Sequence, residues 1–283
     1  MKLHLKIIYS SLLAILIIGC SKLNDNLPLE PKIGIHKTGI TNPDSANFHG
    51  NLVKDLKWNM NTCKQCHGGD YSGGIAEASC LNCHVFPNGP EACNTCHGDF
   101  TNINFIAPPR DINKNTDSTF VGVGAHKKHL YTNMLGKDIP CITCHKVPQN
   151  VYDMGHVDSD LPAEIIFGEL ALNDLGINSS YDFGAGTCSN TYCHGNWVFY
   201  KDSSANQFIY TDSIMVGNNL SVIWNIVDGT QAPCGSCHNL PPIGHAPAQL
   251  SACATCHLGV VDTDGNIIDR TKHINGEINV FGN

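Results

Sequence analysis

At seven places along this chain a cysteine is followed directly by a histidine, with a second cysteine just upstream. The sites are Cys63-Cys66-His67, Cys80-Cys83-His84, Cys93-Cys96-His97, Cys141-Cys144-His145, Cys188-Cys193-His194, Cys234-Cys237-His238 and Cys253-Cys256-His257. Six have the spacing C-x-x-C-H; the fifth, CSNTYCH, puts four residues between its cysteines. Two thiols at that spacing can add across the two vinyl groups of one porphyrin, and the adjacent histidine then lies beneath the iron as its proximal ligand. The pattern therefore predicts seven covalently attached haem c groups, bound through these fourteen cysteines, with iron on each motif histidine.

Other uses of cysteine pairs fit less well. A zinc site needs two such pairs per metal and does not require histidine directly after the second cysteine. A disulfide framework suits an exported chain but explains none of the histidines. Histidine is only 15 of 283 residues, so its recurrence after seven cysteines is not chance. At CSNTYCH two readings stand: both thiols bonded with the extra residues bulged out, or a haem held by Cys193 with Cys188 free. A stray thiol in an oxidising compartment is a liability, which favours use of both.

Fourteen of the fifteen cysteines are thereby assigned, leaving Cys20. It follows Lys2, Lys6 and an apolar run of 12 residues from Ile7 to Ile18, and Gly19 stands directly before it. A basic start, a short apolar run and a small residue before the cut describe a secretory signal, too short for a spanning helix. The Gly-Cys ending resembles the lipobox of bacterial lipoproteins, in which the cysteine becomes the lipidated first residue; an ordinary cleaved signal with Cys20 as an incidental thiol is the alternative. Several acyl chains on one residue make a stable anchor. The expectation is an exported protein, lipid-anchored at Cys20 in the cell envelope, on the outer membrane, with the side left open. Export agrees with haem attachment, which bacteria carry out beyond the cytoplasmic membrane.

Setting aside His4 in the signal segment, histidines outside the motifs number seven: His36, His49, His126, His129, His156, His245 and His273. That is one spare imidazole per motif, and it predicts mostly bis-histidine iron, six-coordinate and low in potential relative to histidine–methionine. Surface histidines are the alternative for some of them. Met60, Met134, Met154 and Met215 are the competing donors, each better read as packing. His126 and His129 stand at i and i+3 in GAHKKHLYTNML, so one helical turn places both rings on one side. They are read as ligands to two neighbouring haems or as one ligand beside one solvent-facing ring.

Composition points to a fold organised by its cofactors. Glycine (27) and proline (14) are frequent, aromatics are 7%, and long amphipathic patterns are scarce. Such a chain buries too little apolar surface alone to offset its conformational entropy. The expected fold class is a multihaem cytochrome c, mostly irregular, with short helices, a few short strands and a haem-organised core. The formal charge of −8 argues against nucleic acid as a partner. Motif spacing suggests a signal peptide at 1–19, a linker at 20–35, an N-terminal three-haem block at 36–115 and a C-terminal four-haem domain at 116–283. CLNCHVFPNGPEACNTCH and CGSCHNLPPIGHAPAQLSACATCH look like copies of a two-haem unit, the second longer and carrying His245 as a local ligand. VVDTDGNIID reads as two short strands joined by an Asp-Gly turn. Asp262, Asp264 and Asn266 there lack the register of a calcium loop. In KHINGEINV a strand is expected to lay His273 over the last haem.

From Gly124 onward the order is HKKHL, CITCHKVP, HVDSD, CSNTYCHG, a tryptophan, CGSCHNLPP, GH, CATCH and KHINGEI. This resembles the C-x-x-x-x-C-H/C-x-x-C-H multihaem cytochromes of metal-respiring bacteria, and the N-terminal block resembles them more loosely. The resemblance implies electron transfer in the cell envelope by haem-to-haem hopping, toward extracellular acceptors. It implies other redox proteins, including outer-membrane cytochrome complexes, as partners, and His126, His129, His156, His245 and His273 as the recurring non-motif histidines. An electron carrier and not an enzyme is expected. The competing classes are a multihaem oxidoreductase with one open iron face, of nitrite or hydroxylamine type, and a subunit of a cytochrome filament. Lys64 and Lys146 lie beside motifs without replacing a ligand histidine.

Overall fold

The computed structural model describes residues 35–103, 105–131, 134–158, 162–172 and 178–282. The expected signal segment, Cys20 and the linker up to residue 34 lie outside them. Among the described residues no helix is long and apolar enough to cross a membrane.

The chain divides into two compact units, Met1–Asp55 and Leu56–Asn283. In the first, helix α1 (His49–Asp55) follows a series of tight turns. His49 anchors it: its backbone N–H and its ring Nδ1 both donate to the Ile40 carbonyl, at 2.7 and 3.0 Å.

The second unit is a string of single helical turns with a few very short strands. Helices α2 (Lys64–His67), α3 (Cys93–His97), α4 (His126–Leu130), α5 (Glu169–Leu172) and α6 (Cys253–Cys256) run four or five residues each. Single 3₁₀ turns stand at Cys80–Asn82, Cys141–Thr143 and Tyr192–His194. Strands β1 (Ser180–Asp182), β2 (Thr187–Ser189) and β5 (Val222–Ile223) form one antiparallel sheet in the order β1-β2-β5. Strands β3 (Val198–Tyr200) and β4 (Ile214–Val216) form a second, antiparallel pair.

Helices this short do not persist on their own; tertiary contacts hold them. Yet the polypeptide core is thin. Met60, Tyr71, Ile106, Val123, Tyr192 and Met215 are among its buried apolar residues, while Ile75, Val85 and Phe208 are 84%, 74% and 73% exposed. The irregular architecture of short helices and strands is as expected from the glycine and proline content.

Two local expectations are corrected. Residues 260–269 form a single bridge, Val261 to Ile267, and not two strands. The Asp262 carboxylate receives the N–H groups of Asp264 and Asn266 and the Asn266 side-chain amide, while backbone pairing across the turn is limited to Asp262 N–H with Asn266 O and Ile268 N–H with Val260 O. No strand forms at KHINGEINV among the described residues. Asp269 caps a 3₁₀ turn at Arg270–Lys272 instead, and positive φ at Ile274 and Gly276 (59° and 88°) interrupts extension.

Gly195, directly after His194, shows how tightly the chain reverses behind a motif. Its φ is +89°, and a Cβ there would collide with the Cys237 carbonyl of the next motif. Gly195→Ala is expected to destabilise the haem-loaded protein by about 2–4 kcal/mol, from left-handed strain plus overlap with backbone. The urea midpoint measures this; a midpoint within experimental error of the parent would refute it.

Candidate functional site

The motif spacing becomes geometry through one helical turn. In four C-x-x-C-H motifs the histidine N–H donates to the carbonyl of the first cysteine: His67 to Cys63, His84 to Cys80, His145 to Cys141 and His257 to Cys253, each at 2.9 Å. Residues i, i+3 and i+4 of such a turn share one face, so both thiols and the imidazole emerge together. CSNTYCH is built differently. Cys188 sits on β2, paired with Tyr181 and Val222, while Cys193 lies in the 3₁₀ turn. Asn190, at φ +58°, takes up the two extra residues in a left-handed bend. Among the described residues, no motif cysteine is joined to another in a disulfide.

The imidazoles are oriented by their Nδ1 atoms. His67 donates to Ala78 O, His97 to Ala107 O, His145 to Glu164 O, His238 to Asn239 O and His257 to Asn279 O, at 2.7–2.9 Å. The non-motif rings do the same: His126 to Val123 O, His129 to Ala125 O, His156 to Val151 O, His245 to Ala246 O and His273 to Leu135 O. A carbonyl can only accept, so Nδ1 carries the proton and Nε2 keeps its lone pair. That is the second-shell arrangement of a metal-bound histidine. The His194 Nδ1 is different: it is buried and has no hydrogen-bond partner among the described residues.

Four motif imidazoles each stand opposite a non-motif imidazole. His97 and His156 have ring centres 6.2 Å apart, His126 and His145 6.3 Å, His129 and His194 6.2 Å, and His238 and His273 6.3 Å. These separations are too long for ring-on-ring contact. Two metal–nitrogen bonds of about 2 Å each, with the ring halves behind them, span about 6 Å. The donor set and its spacing thus fit an iron between each pair. His126 and His129, one turn apart on α4, face two different motifs, the fourth and the fifth. His273 faces His238 of the sixth motif, one motif earlier than the sequence suggested. Neither His245 nor His257 has an opposing imidazole of this kind among the described residues. His36 is exposed at the start of the first unit, and His49 lies against Phe48 at 4.4 Å.

Burial keeps these rings neutral, the form that binds metal. It pushes His126 and His194 down to about 4 and lowers His129 and His273 below their ordinary range; carbonyl hydrogen bonds oppose it at His126, His129 and His273. The same burial raises the Cys193 thiol to about 12 and the Cys144 and Cys188 thiols to about 11.

Two features carry no sequence signature. The first is a polar knot joining three segments. Lys64, inside the first motif, pairs with Glu91 at 2.8 Å, just before the third motif. Glu91 also accepts from the Tyr71 hydroxyl at 2.6 Å. The ammonium lies over the rings of Tyr71 and Tyr152, at 5.1 and 5.8 Å, and the Met60 N–H donates to the Tyr152 hydroxyl. The second is Trp224, whose indole borders both His126 and His129. Lys146 donates to the Met154 carbonyl at 2.7 Å.

Residues 187–238, from β2 to the sixth motif histidine, match the model of the Geobacter CxxxxCH...CXXCH motif. No curated protein and no solved structure matches the chain. The motif match, together with the repeated C-x-x-C-H sequences, supports a multihaem c-type cytochrome with covalently bound haem and a role in electron transfer.

The polar knot has a pH signature. Burial alone raises the Glu91 pKa, but the hydrogen bonds from Lys64 and Tyr71 and the Lys64 charge outweigh it, leaving a net depression below 4.5. A depressed carboxylate contributes stability that is fully present above its unfolded pKa and lost as pH falls through its folded pKa. Glu91→Gln is therefore expected to cost about 1 kcal/mol at pH 7, after solvent screening, and progressively less below the ordinary carboxylate range. Urea midpoints of parent and variant across that range check it; a difference independent of pH counts against the knot.

Proposed function

We propose that this chain is a lipid-anchored heptahaem cytochrome c that carries electrons by haem-to-haem hopping in the bacterial cell envelope, toward extracellular acceptors. The observation that carries the reading is the set of four imidazole pairs at 6.2–6.3 Å, each pairing a motif histidine with one outside the motifs. Bound haem supplies an iron that changes oxidation state by one electron. Everything else is the work of the polypeptide. Cys63, Cys66, Cys80, Cys83, Cys93, Cys96, Cys141, Cys144, Cys188, Cys193, Cys234, Cys237, Cys253 and Cys256 hold the porphyrins. His67, His84, His97, His145, His194, His238 and His257 are the proximal ligands, and His36, His49, His126, His129, His156, His245 and His273 the distal ones. Imidazole on both faces leaves no position for substrate, and where Nδ1 donates to a carbonyl that contact fixes the ring and makes it a better donor.

The large apolar side chains left exposed by the polypeptide are the surfaces that the porphyrins cover. Residues 36–115 and 116–283 are the three-haem and four-haem parts, although His97 and His156 reach across that boundary. The anchor at Cys20 places the protein on the outer membrane, with other redox proteins as donor and acceptor.

Intact-mass measurement of the purified protein is expected to show seven haems, and its oxidised spectrum is expected to be low-spin. His129→Ala is expected to convert one of the seven haems to a high-spin form that binds carbon monoxide when reduced. Bound zinc, or disulfides without porphyrin, would overturn the reading. A high-spin fraction in the parent that binds nitrite or hydroxylamine would replace it with an oxidoreductase.

A further inference from the structure

Trp224 stands between two of the imidazole pairs. Its ring centre is 4.7 Å from that of His126, edge-on at 87°, and 5.6 Å from that of His129, at 22°. One indole therefore meets one distal ring perpendicularly and the other nearly in parallel, which holds the two imidazoles at a steep inclination to each other. Across from them, the motif rings complete two unlike pairs. The planes of His126 and His145 are inclined by 23°, those of His129 and His194 by 71°.

The indole is itself fixed from several directions. Its N–H donates to the Val121 carbonyl at 2.8 Å, and its backbone N–H to Gly186 O at 2.7 Å. The neighbouring Asn225 side chain donates to Thr119 O at 3.0 Å. Gly124, two residues before His126, passes so close that a Cβ there would collide with the indole. Trp224 follows β5 directly, and β5 pairs with the strand that carries Cys188. The side chain thus joins the distal ligands of the fourth and fifth motifs to the attachment strand of the fifth.

Plane angle matters to an iron held by two imidazoles. Parallel rings donate π density into the same d orbital, separating it from its partner and favouring the ferric state. Crossed rings donate into different orbitals, which stay nearly degenerate. The second arrangement gives a more anisotropic ferric spin signal and a higher potential. A ligand whose Nδ1 lacks an acceptor, as at His194, is also a weaker donor, and this acts in the same direction.

We propose that Trp224 is a positioning residue that sets the ring planes of His126 and His129, making the fourth and fifth haem centres electronically unequal, with the fifth at the higher potential. The inference rests on the two-imidazole reading of the proposed function.

The test is electron paramagnetic resonance and potentiometric titration of the oxidised, haem-loaded, full-length protein. The parent is expected to show two classes of low-spin ferric signal, one rhombic and one strongly anisotropic. Trp224→Ala is expected to move intensity in both classes, by about one haem each, and to narrow the spread of potentials. Trp224→Phe, which keeps a ring but loses the N–H, is expected to shift the same signals less. Gly124→Ala keeps the tryptophan side chain but displaces it, and is expected to shift the same two centres. If Trp224→Ala fails to mature, the other two variants carry the test. Parent-like signals and potentials in Trp224→Phe and Gly124→Ala overturn the assignment of Trp224. A parent with no low-spin bis-imidazole signal overturns the haem-ligation reading instead.

Discussion

The hydrogen bond from a motif histidine N–H to the carbonyl of the cysteine four residues earlier sets the scale for the rest of this protein. It closes one turn, puts two thiols and an imidazole on a common face, and needs no neighbouring secondary structure to do so. A chain made of such turns has little reason to build long helices or wide sheets. The loops between motifs bring a second imidazole opposite His97, His145, His194 and His238. Carbonyl groups at Nδ1 then leave Nε2 free on both sides of the gap.

What the sequence discloses and what it conceals follow from the range of the interactions. Cys63, Cys66 and His67 are legible because their geometry is settled within five residues. The same holds for His126 and His129, whose i, i+3 spacing put both on the inner side of α4, with Lys127 and Lys128 exposed. Pairings across the fold were not legible. Nothing within KHINGEINV shows that His273 meets His238, since that depends on how the chain returns after the last motif and on a contact to Leu135. Trp224 was invisible for the same reason: its acceptor at Val121 lies 103 residues away. The Asp262 hairpin is shorter than its sequence suggests: one antiparallel bridge forms, and the carboxylate of Asp262 takes up the donors of the turn itself.

CSNTYCH illustrates a related point about specificity. The longer spacing is not a stretched helical turn. Its first cysteine has been moved onto a strand, and the sheet of β1, β2 and β5 exists around it. The sheet in turn supports Trp224, so an unusual attachment motif and the side chain that borders two distal ligands belong to one local construction. The segment matched by the family model spans both.

The return of late residues to early motifs has a consequence for maturation. His156 faces the third motif, and His273 reaches the sixth only after the seventh has been passed. A polypeptide threaded from its N-terminus presents His97 and His238 before the rings that face them exist, so neither gap can close until a later stretch of chain folds back. The order in which the chain becomes available is therefore not the order in which its imidazole pairs form.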